Sequence, residues 1–155
     1  MKKLFFSVAT ILILFISCSY DKKSSENDQK SSEIKKNKEI ATKYHDLNAN
    51  DVDSILTVNF IGRNAKNLFT WTRENHREYL SNGLYKKDSI IQQVAEGDLV
   101  ATRFVRTMDY TGDTVKVEVM HFKRFENGKI AEIWEYTDYM QAKEIMDKSE
   151  TKKKK

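Results

Sequence analysis

Cysteine and histidine are scarce in this sequence. Its 155 residues include one cysteine, Cys18, and three histidines. A single cysteine excludes an intrachain disulfide, so no disulfide framework can support the fold. The histidines, at positions 45, 76 and 121, fall in different predicted elements and lack the spacing of metal ligands. We therefore expect neither a metal site nor a bound cofactor.

Sequence motifs of several well-known enzyme classes are missing as well. The chain has no phosphate-binding loop, no nucleophile elbow and no internal repeat. The formal net charge of +4 comes from lysines at both ends, because without Lys2, Lys3 and Lys152–Lys155 the chain is about two charges negative. No basic surface with interleaved aromatic residues stands out, and we predict that the protein does not bind nucleic acid.

A long apolar run occurs near the start of the chain. Leu4–Ile16 follows Lys2 and Lys3 and is too short to span a membrane comfortably, which is typical of a signal peptide. The run ends in Phe-Ile-Ser-Cys, which resembles the lipobox of bacterial lipoproteins, although Phe15 stands where leucine is usual. The resemblance implies cleavage before Cys18 and lipidation of its thiol. The alternative is a plain secretory peptide with an incidental cysteine.

These features divide the chain into four predicted parts. Residues 1–17 are the lipoprotein signal peptide, and residues 18–33 are the lipidated cysteine and a disordered tether rich in serine, lysine and acidic residues. Residues 34–148 form one folded domain, and residues 149–155 form a basic tail. We expect the protein in a bacterial cell envelope, anchored by lipid, and Ser19 favours the outer membrane by resemblance to the usual sorting rule.

Helical patterns precede most of the strands in the folded part. The predicted helices are Ile34–Asn48, a short one from Asp51, Thr72–Ser81 and Asp138–Lys148. Asp138 opens the last helix in a capping-box pattern, with glutamine three residues on. We place His76 on the exposed side of the third helix. The strands predicted before Leu99 are Thr57–Ile61 and Tyr85–Ala95.

The stretch Leu99–Asp138 is predicted to form three long antiparallel strands. Asn127-Gly128 is typical of a type I′ hairpin turn, because that turn needs positive φ at both central residues. With an unbroken ladder, this turn would pair Phe125 with Ile130, Lys123 with Glu132, His121 with Trp134, and Val119 with Tyr136. These residues alternate with those of the other face, so they would share the more apolar and buried face.

A second hairpin is predicted at Gly112-Asp113, with a loop at Thr111-Gly112 left open as the alternative. Either loop keeps the same residues on each face. The residues that it adds to the buried face are Val100, Phe104, Met108 and Tyr110.

Several polar residues fall on this mainly apolar face: Arg106, His121, Lys123 and Glu132, with Asp138 at its end. A buried histidine needs a partner, because an unpaired polar group is costly to bury. One interpretation is a core histidine that Glu132, a backbone group or water satisfies. The other is a pocket in which His121 and a carboxylate meet a ligand. We interpret Lys123 and Glu132 as a cross-strand ion pair.

The order of elements and one phrase resemble a known superfamily. Phe125–Asp138 reads Phe-x-x-Gly-Lys-Ile-x-Glu-x-Trp-x-x-x-Asp, and Glu96–Arg103 matches the preceding strand of the same group. The chain from about Ile34 to Ile145 thus resembles the SnoaL-like group of the NTF2-like superfamily. The resemblance implies an α+β fold. Its curved antiparallel sheet wraps around N-terminal helices to form a cone, and a short C-terminal helix follows.

The resemblance leaves function open, because such domains include cyclases, dehydratases, isomerases and non-catalytic binding domains. We favour a pocket that binds a small apolar or amphipathic molecule without turnover. Its predicted lining is Phe104, Arg106, Met108, Trp134 and Tyr136. The alternative is an enzyme of cyclase, isomerase or dehydratase type, in which His121 with Glu132 or Asp138 performs acid–base chemistry. In the cyclase members a pocket histidine and an aspartate near the end of the last strand have this role.

Members of the superfamily often pair through their sheets. In the predicted register, Met120, Phe122 and Ile133 lie on the second face of the sheet. Exposed apolar residues of this kind favour a homodimer.

Overall fold

The computed structural model of the protein describes residues 28–65, 69–82, 85–110 and 113–137. The chain divides into two compact units, Met1–Glu33 and Ile34–Lys155, and the features below belong to the second. The predicted terminal helix, the basic tail and the residues before 28 lie outside the described residues. No helix in the described ranges has the length and apolar character needed to cross a membrane.

The helices form where the periodicity predicts them. Within the second unit they are α1 at residues 34–43, a 3-10 turn at Tyr44–Asp46, α2 at Val52–Ile55 and α3 at Arg73–Ser81. Ala41, Tyr44 and Leu47 are buried, as the apolar stripe predicts. The side chain of Thr72 caps α3 by accepting a hydrogen bond from the backbone N–H of Asn75 at 3.3 Å.

The strands form one six-stranded sheet in the order β2-β1-β6-β5-β4-β3. Their bounds are β1 Leu56–Asn64, β2 Thr70–Thr72, β3 Tyr85–Glu96, β4 Leu99–Tyr110, β5 Asp113–Glu126 and β6 Lys129–Thr137. β1 runs parallel to β6, and every other neighbouring pair is antiparallel. The predicted α+β class is confirmed, with a curved, unclosed sheet and N-terminal helices.

The turn between β5 and β6 forms as predicted, but the ladder beyond it does not. Asn127 and Gly128 have φ of 50° and 71°, and Phe125 pairs with Ile130. The next pair is Arg124 with Glu132, so Ala131 is an extra residue in β6. This β-bulge shifts the register by one position and exchanges the faces of β6 from Glu132 onwards.

The bulge makes four sequence-based assignments wrong. His121 pairs with Glu135, and the predicted partner Trp134 pairs with Phe122 on the opposite face. Tyr136 is on that opposite face too, where it is half-exposed. Ile133, predicted on the outer face, is fully buried in the core. Lys123 does not pair with Glu132, whose carboxylate accepts a hydrogen bond from Arg124 at 3.0 Å.

The hairpin between β4 and β5 takes the alternative loop. Tyr110 pairs with Asp113, which leaves Thr111-Gly112 as the connection and shifts the pairing by two residues. The faces are therefore kept, and Val100 and Phe104 are buried on the same side as Val117 and Val119.

The core lies between this face and the helices. Its main cluster joins residues of α1, α2, β1 and the long strands: Ala41, Tyr44, Leu47, Val52, Ile55, Leu56, Phe60, Val100, Phe125, Ile130 and Ile133. Trp71 of β2 packs against the cluster, and its indole covers Gly62 so closely that an added Cβ would lie 1.9 Å from Trp71 Cε2. Three polar residues, Thr102, His121 and Lys123, are fully buried beside the apolar ones.

Candidate functional site

A cavity of about 260 Å³ opens between α3, β2 and the inner face of the sheet. Its lining is mostly aromatic, with one carboxylate and one guanidinium: Tyr44, Phe69, Trp71, Asn75, His76, Tyr79, Arg106 and Glu135. The 3-10 turn contributes Tyr44, and the capped helix α3 contributes Asn75, His76 and Tyr79. Small-molecule sites commonly have this composition, with apolar walls and a few convergent polar groups.

The carboxylate of Glu135 is held from two sides. Its Oε2 lies 2.9 Å from His121 Nε2 and 2.9 Å from Arg106 Nη1. The His121 side chain is fully buried, whereas the side chains of Glu135 and Arg106 are 13% and 14% exposed at the cavity wall. His121 itself does not line the cavity, and its hydrogen bond to Glu135 connects it to the cavity wall.

A chain of hydrogen bonds continues from Arg106 into the core. Asp88 Oδ1 accepts from Arg106 Nε at 3.3 Å, and Asp88 Oδ2 lies 2.8 Å from His45 Nδ1. Lys123 Nζ is 2.8 Å from His45 Nε2 and 3.1 Å from Thr102 Oγ1. Since the ionised carboxylate of Asp88 can only accept, His45 carries its proton on Nδ1 and donates to Asp88, and Nε2 of the neutral ring accepts from Lys123.

The histidines at this site are neutral. Burial lowers the pKa of His121 to about 3, although its hydrogen bond with Glu135 opposes the shift. Burial likewise lowers the pKa of His45 and of His76, each to about 4. Burial also lowers the pKa of Lys123 well below its ordinary value, against the opposing effect of Asp88.

Glu135 is ionised for a different reason. Burial by itself would raise its pKa, but the hydrogen bond from His121 and the charge of Arg106 outweigh burial and hold the pKa at about 2. Asp88 has a lowered pKa because His45 and Arg106 outweigh its burial in the same way. Arg106 thus lies between two ionised carboxylates, and these three groups together carry one net negative charge.

We predicted from the sequence that His76 lies on the exposed side of α3, and this prediction is wrong. It is buried, and its ring stacks on Tyr44 with centroids 5.1 Å apart and an interplanar angle of 12°. The prediction failed because α3 packs its His76 and Tyr79 side towards the cavity. Positions three and four apart, such as His76, Tyr79 and Leu80, share one helical face and could have indicated this.

The structure brings only part of the predicted site together. Arg106 lines the cavity, while Phe104 is fully buried behind it, with its ring centroid 4.7 Å from that of His121. The Tyr79 hydroxyl donates to Met108 Sδ at 3.6 Å, so Met108 lies beside the cavity wall.

Other predicted site residues lie elsewhere. Trp134 and Tyr136 do not line the cavity, because the bulge turns them to the outer face. Glu132 binds Arg124 on that outer face and does not reach His121. Asp138 and Cys18 lie outside the described residues.

An unbroken ladder would place Glu135 on the face opposite to His121, whereas the bulge brings its carboxylate beside His121. A signal for the bulge exists in the sequence, because Ile130 and Ile133 are three residues apart and cannot share one face of an unbroken strand. Burial of both isoleucines requires an extra residue between them. Among the described ranges, no group of three His, Asp, Glu or Cys side chains converges in a way that could hold a metal ion.

Comparison with solved structures shows the same fold in bacterial proteins. A protein of Jannaschia sp. CCS1 assigned as a SnoaL-like polyketide cyclase is 15% identical, with a TM-score of 0.61 over 70% of this chain and 90% of that one. IdmH of Streptomyces antibioticus, assigned as a polyketide cyclase, is 15% identical, with a TM-score of 0.56 over 68% and 94%.

A third structure was determined with a small molecule. This protein of Catenulispora acidiphila has a ketosteroid isomerase-like fold and was crystallised in complex with trimethylamine. It is 17% identical, with a TM-score of 0.54 over 63% of this chain and 84% of that one. At these identities the likeness establishes the fold alone.

Sequence comparison gives the family. No curated protein sequence matches the chain. The family model described as SnoaL-like polyketide cyclase matches residues 38–144, which include every residue of the cavity lining and of the hydrogen-bonded network. The chain therefore belongs to the SnoaL-like polyketide cyclase family.

Proposed function

We propose that the domain binds a small, mainly apolar molecule in the cavity, with a polar group of the ligand against the pair formed by Glu135 and Arg106. The observation that carries the proposal is an ionised carboxylate and a guanidinium, 2.9 Å apart, in the wall of an otherwise aromatic cavity. Aromatic walls favour apolar ligand surface, and the fixed polar pair orients one end of it.

The network behind the pair supports binding over turnover. Glu135 is held in one position by His121 and Arg106, and a preorganised acceptor loses little freedom when a ligand binds. A carboxylate with a pKa of about 2 is also a weak base near neutral pH. These properties suit a fixed hydrogen-bond acceptor better than a group that must take up and release a proton.

The test uses benzyl alcohol as a probe of the cavity. Titration into ¹⁵N-labelled protein should shift amide signals of cavity residues, and Glu135→Gln should weaken the affinity about fivefold, since a hydrogen bond to a charged acceptor is lost. Glu132→Gln is the matched control, because this residue binds Arg124 on the outer face. Equal affinities of the two variants, or no binding of the probe by wild type, would refute the proposal.

The contact between His121 and Glu135 favours one second candidate, acid–base catalysis. A carboxylate beside a buried histidine at a cavity wall is the arrangement that the cyclase alternative requires, with Glu135 in place of Glu132 or Asp138. In this reaction Glu135 would take a proton from the carbon beside a carbonyl and return it to the same carbon.

Hydrogen exchange tests this candidate directly. Phenylacetone in D₂O, followed by ¹H NMR, should lose its α-proton signal faster with wild-type protein than with Glu135→Gln. A rate equal to that in buffer alone would exclude catalysis of this exchange by the protein and leave ligand binding as the function.

The proposed location is the bacterial envelope, with the mature chain beginning at a lipidated Cys18. The support is the basic and apolar signal pattern and the lipobox-like segment that ends at this cysteine. Labelled palmitate should enter the wild-type protein and not Cys18→Ala. Cell fractionation then decides between the outer membrane, which Ser19 favours, and the inner membrane.

A homodimer through the outer face of the sheet is proposed as the assembly. The support is an exposed apolar group on this face at Met120, Phe122 and Tyr136, which are 37%, 38% and 50% exposed. Sedimentation at micromolar concentration should give a dimer for wild type and a monomer for Phe122→Lys. A wild-type monomer at these concentrations would be the contrary result.

A further inference from the structure

The charges at the cavity wall do not cancel. Glu135 and Asp88 are both ionised, and their carboxylates lie 2.9 Å and 3.3 Å from the guanidinium of Arg106. Two negative charges against one positive charge leave one net negative charge. Glu135 and Arg106 line the cavity, and Asp88 contacts Arg106 without lining it. The cavity therefore has an excess of negative charge along this wall.

Little positive charge comes from the other ionisable residues nearby. His76 lines the cavity and His121 contacts Glu135, and burial lowers the pKa of His76 to about 4 and that of His121 to about 3, so both are neutral at pH 7. Burial keeps His45 neutral in the same way. Lys123 is fully buried and does not line the cavity, and burial lowers its pKa well below the ordinary value. It therefore supplies less positive charge than an exposed lysine would.

Much of the remaining wall is aromatic. Phe69, Trp71 and Tyr79 line the cavity, and the rings of Phe69 and Trp71 have centroids 5.8 Å apart and an interplanar angle of 37°. The face of an aromatic ring is electron-rich and attracts a cation within about 6 Å of the ring centre, most strongly when the ring is tryptophan. A cavity of about 260 Å³ is narrow enough that an occupant contacts several walls at once. The aromatic rings and the excess negative charge therefore favour the same kind of ligand.

The charge of the ligand can be argued from these two features. An anion would be repelled by the net charge, and it could reach Arg106 only in competition with the two carboxylates that already contact it. A neutral molecule would gain from the apolar walls and nothing from the net charge. A compact primary ammonium is strongly hydrated, and its hydration is costly to remove in an aromatic cavity. An ammonium whose charge is covered by alkyl groups loses less hydration and is still attracted by ring faces and carboxylates.

We propose that the cavity selects a cationic ligand, a tertiary or quaternary organic ammonium ion whose charge lies between the aromatic rings and Glu135. This inference rests on the proposed binding function and names the class of ligand for the same site. The carboxylate of Asp88 acts on the ligand through space, because Asp88 does not line the cavity, whereas Phe69 and Trp71 act by contact. The two contributions can therefore be removed separately.

Choline and 3,3-dimethylbutan-1-ol test the proposal, because they have the same shape and differ in a charged nitrogen against a neutral carbon. In ¹⁵N NMR titrations at pH 7, choline should bind wild-type protein about fivefold more tightly than the alcohol. Asp88→Asn removes the excess negative charge without changing a residue of the cavity lining. It should weaken choline about fivefold and change the affinity for the alcohol less than about twofold.

The matched control is Glu132→Gln. It also removes a carboxylate that binds an arginine, but this pair, with Arg124, lies on the outer face of the sheet. Glu132→Gln should leave both affinities unchanged.

A second variant, Phe69→Leu, tests the aromatic wall and keeps the test decisive if Asp88→Asn does not fold. Phe69 is 48% exposed, so the fold should tolerate its replacement, and leucine keeps an apolar side chain without an aromatic face. Phe69→Leu should weaken choline about threefold and change the affinity for the alcohol less than about twofold.

The outcomes separate the two proposals. If wild-type protein binds the alcohol as tightly as choline or more tightly, selection of a cation is overturned and cavity binding stands. An unchanged affinity for choline in either variant overturns the selection as well. An equal loss of both affinities in Asp88→Asn would show that this residue is structural, which also overturns its role. Failure of both probes and of benzyl alcohol to bind wild-type protein overturns cavity binding and this inference together.

Discussion

Acidification is the perturbation to which this fold should respond most strongly. His45, His76 and His121 are all buried and neutral, with pKa values of about 4, 4 and 3. In the unfolded chain each would titrate near 6.5. Between these values the unfolded state binds protons that the native state does not bind, so the free energy of unfolding must fall as the pH falls.

The size of the effect follows from the three pKa differences. At pH 5 each unfolded histidine is protonated and each native one is mostly not, which costs about 2 kcal/mol per residue, or up to about 6 kcal/mol for the three. The slope of the free energy of unfolding against pH approaches about 4 kcal/mol per pH unit near pH 5. This is a large change, because whole domains are stable by only about 5–15 kcal/mol. Glu135, with its pKa of about 2, contributes in the same direction below about pH 4.5.

Urea unfolding followed by circular dichroism at pH 7, 6 and 5 measures the free energy directly. We expect little change above pH 7 from the histidines and a steep loss of stability between pH 6 and pH 5. His76→Phe removes one of the three groups and should reduce the slope by about one third. The lowered pKa of Lys123 also makes the free energy of unfolding fall as the pH falls, but in a higher pH range. The reason is that the unfolded chain binds this proton more readily than the folded protein does.

One result would refute this reasoning. A slope below about 1.4 kcal/mol per pH unit would mean that the chain takes up less than one proton when it unfolds. Three histidines that are neutral in the folded protein and protonated in the unfolded chain would take up more than one. Histidine ¹H signals in the folded protein give a second measurement, and they should not titrate above pH 5. A native midpoint near pH 6.5 for any of them would show that it is accessible to water.

Three further predictions concern the packing. Gly62→Ala places a methyl group in the indole of Trp71, 1.9 Å from Cε2, and should destabilise the domain by about 1–3 kcal/mol in urea unfolding, whereas unchanged stability would mean that β2 can move away. Phe104→Ala empties a fully buried site and should cost about 3–5 kcal/mol, and a cost below 1 kcal/mol would contradict the observed burial. Deletion of Ala131 removes the extra residue and leaves His121 opposite Glu135 in an unbroken ladder, so the variant should still bind benzyl alcohol, and loss of binding would show that the bulge itself shapes the cavity.

The sequence by itself determined the fold class and the order of the elements apart from the short strand β2. Apolar spacing located α1, α2 and α3, and the Asn127-Gly128 pair fixed the turn between β5 and β6. These features are local, because helical periodicity and positive φ depend on residues a few positions apart. The assignment of β4 and β5 residues to the two faces of the sheet also followed from their alternation along the strands, since either loop between the strands keeps each residue on the same face.

Only the tertiary structure decided which side chains form the site. Ile130 and Ile133 are both buried in the core, because the bulge at Ala131 lies between them. The bulge places Glu135 beside His121, in the position that an unbroken ladder would give to Trp134. The spacing of the two isoleucines signals an irregularity in the strand, but it does not locate the extra residue, because that depends on which residues the opposite layer buries. The same holds for His76: its spacing places it on one helical face with Tyr79 and Leu80, but the packing of α3 over the sheet decides that this face is buried.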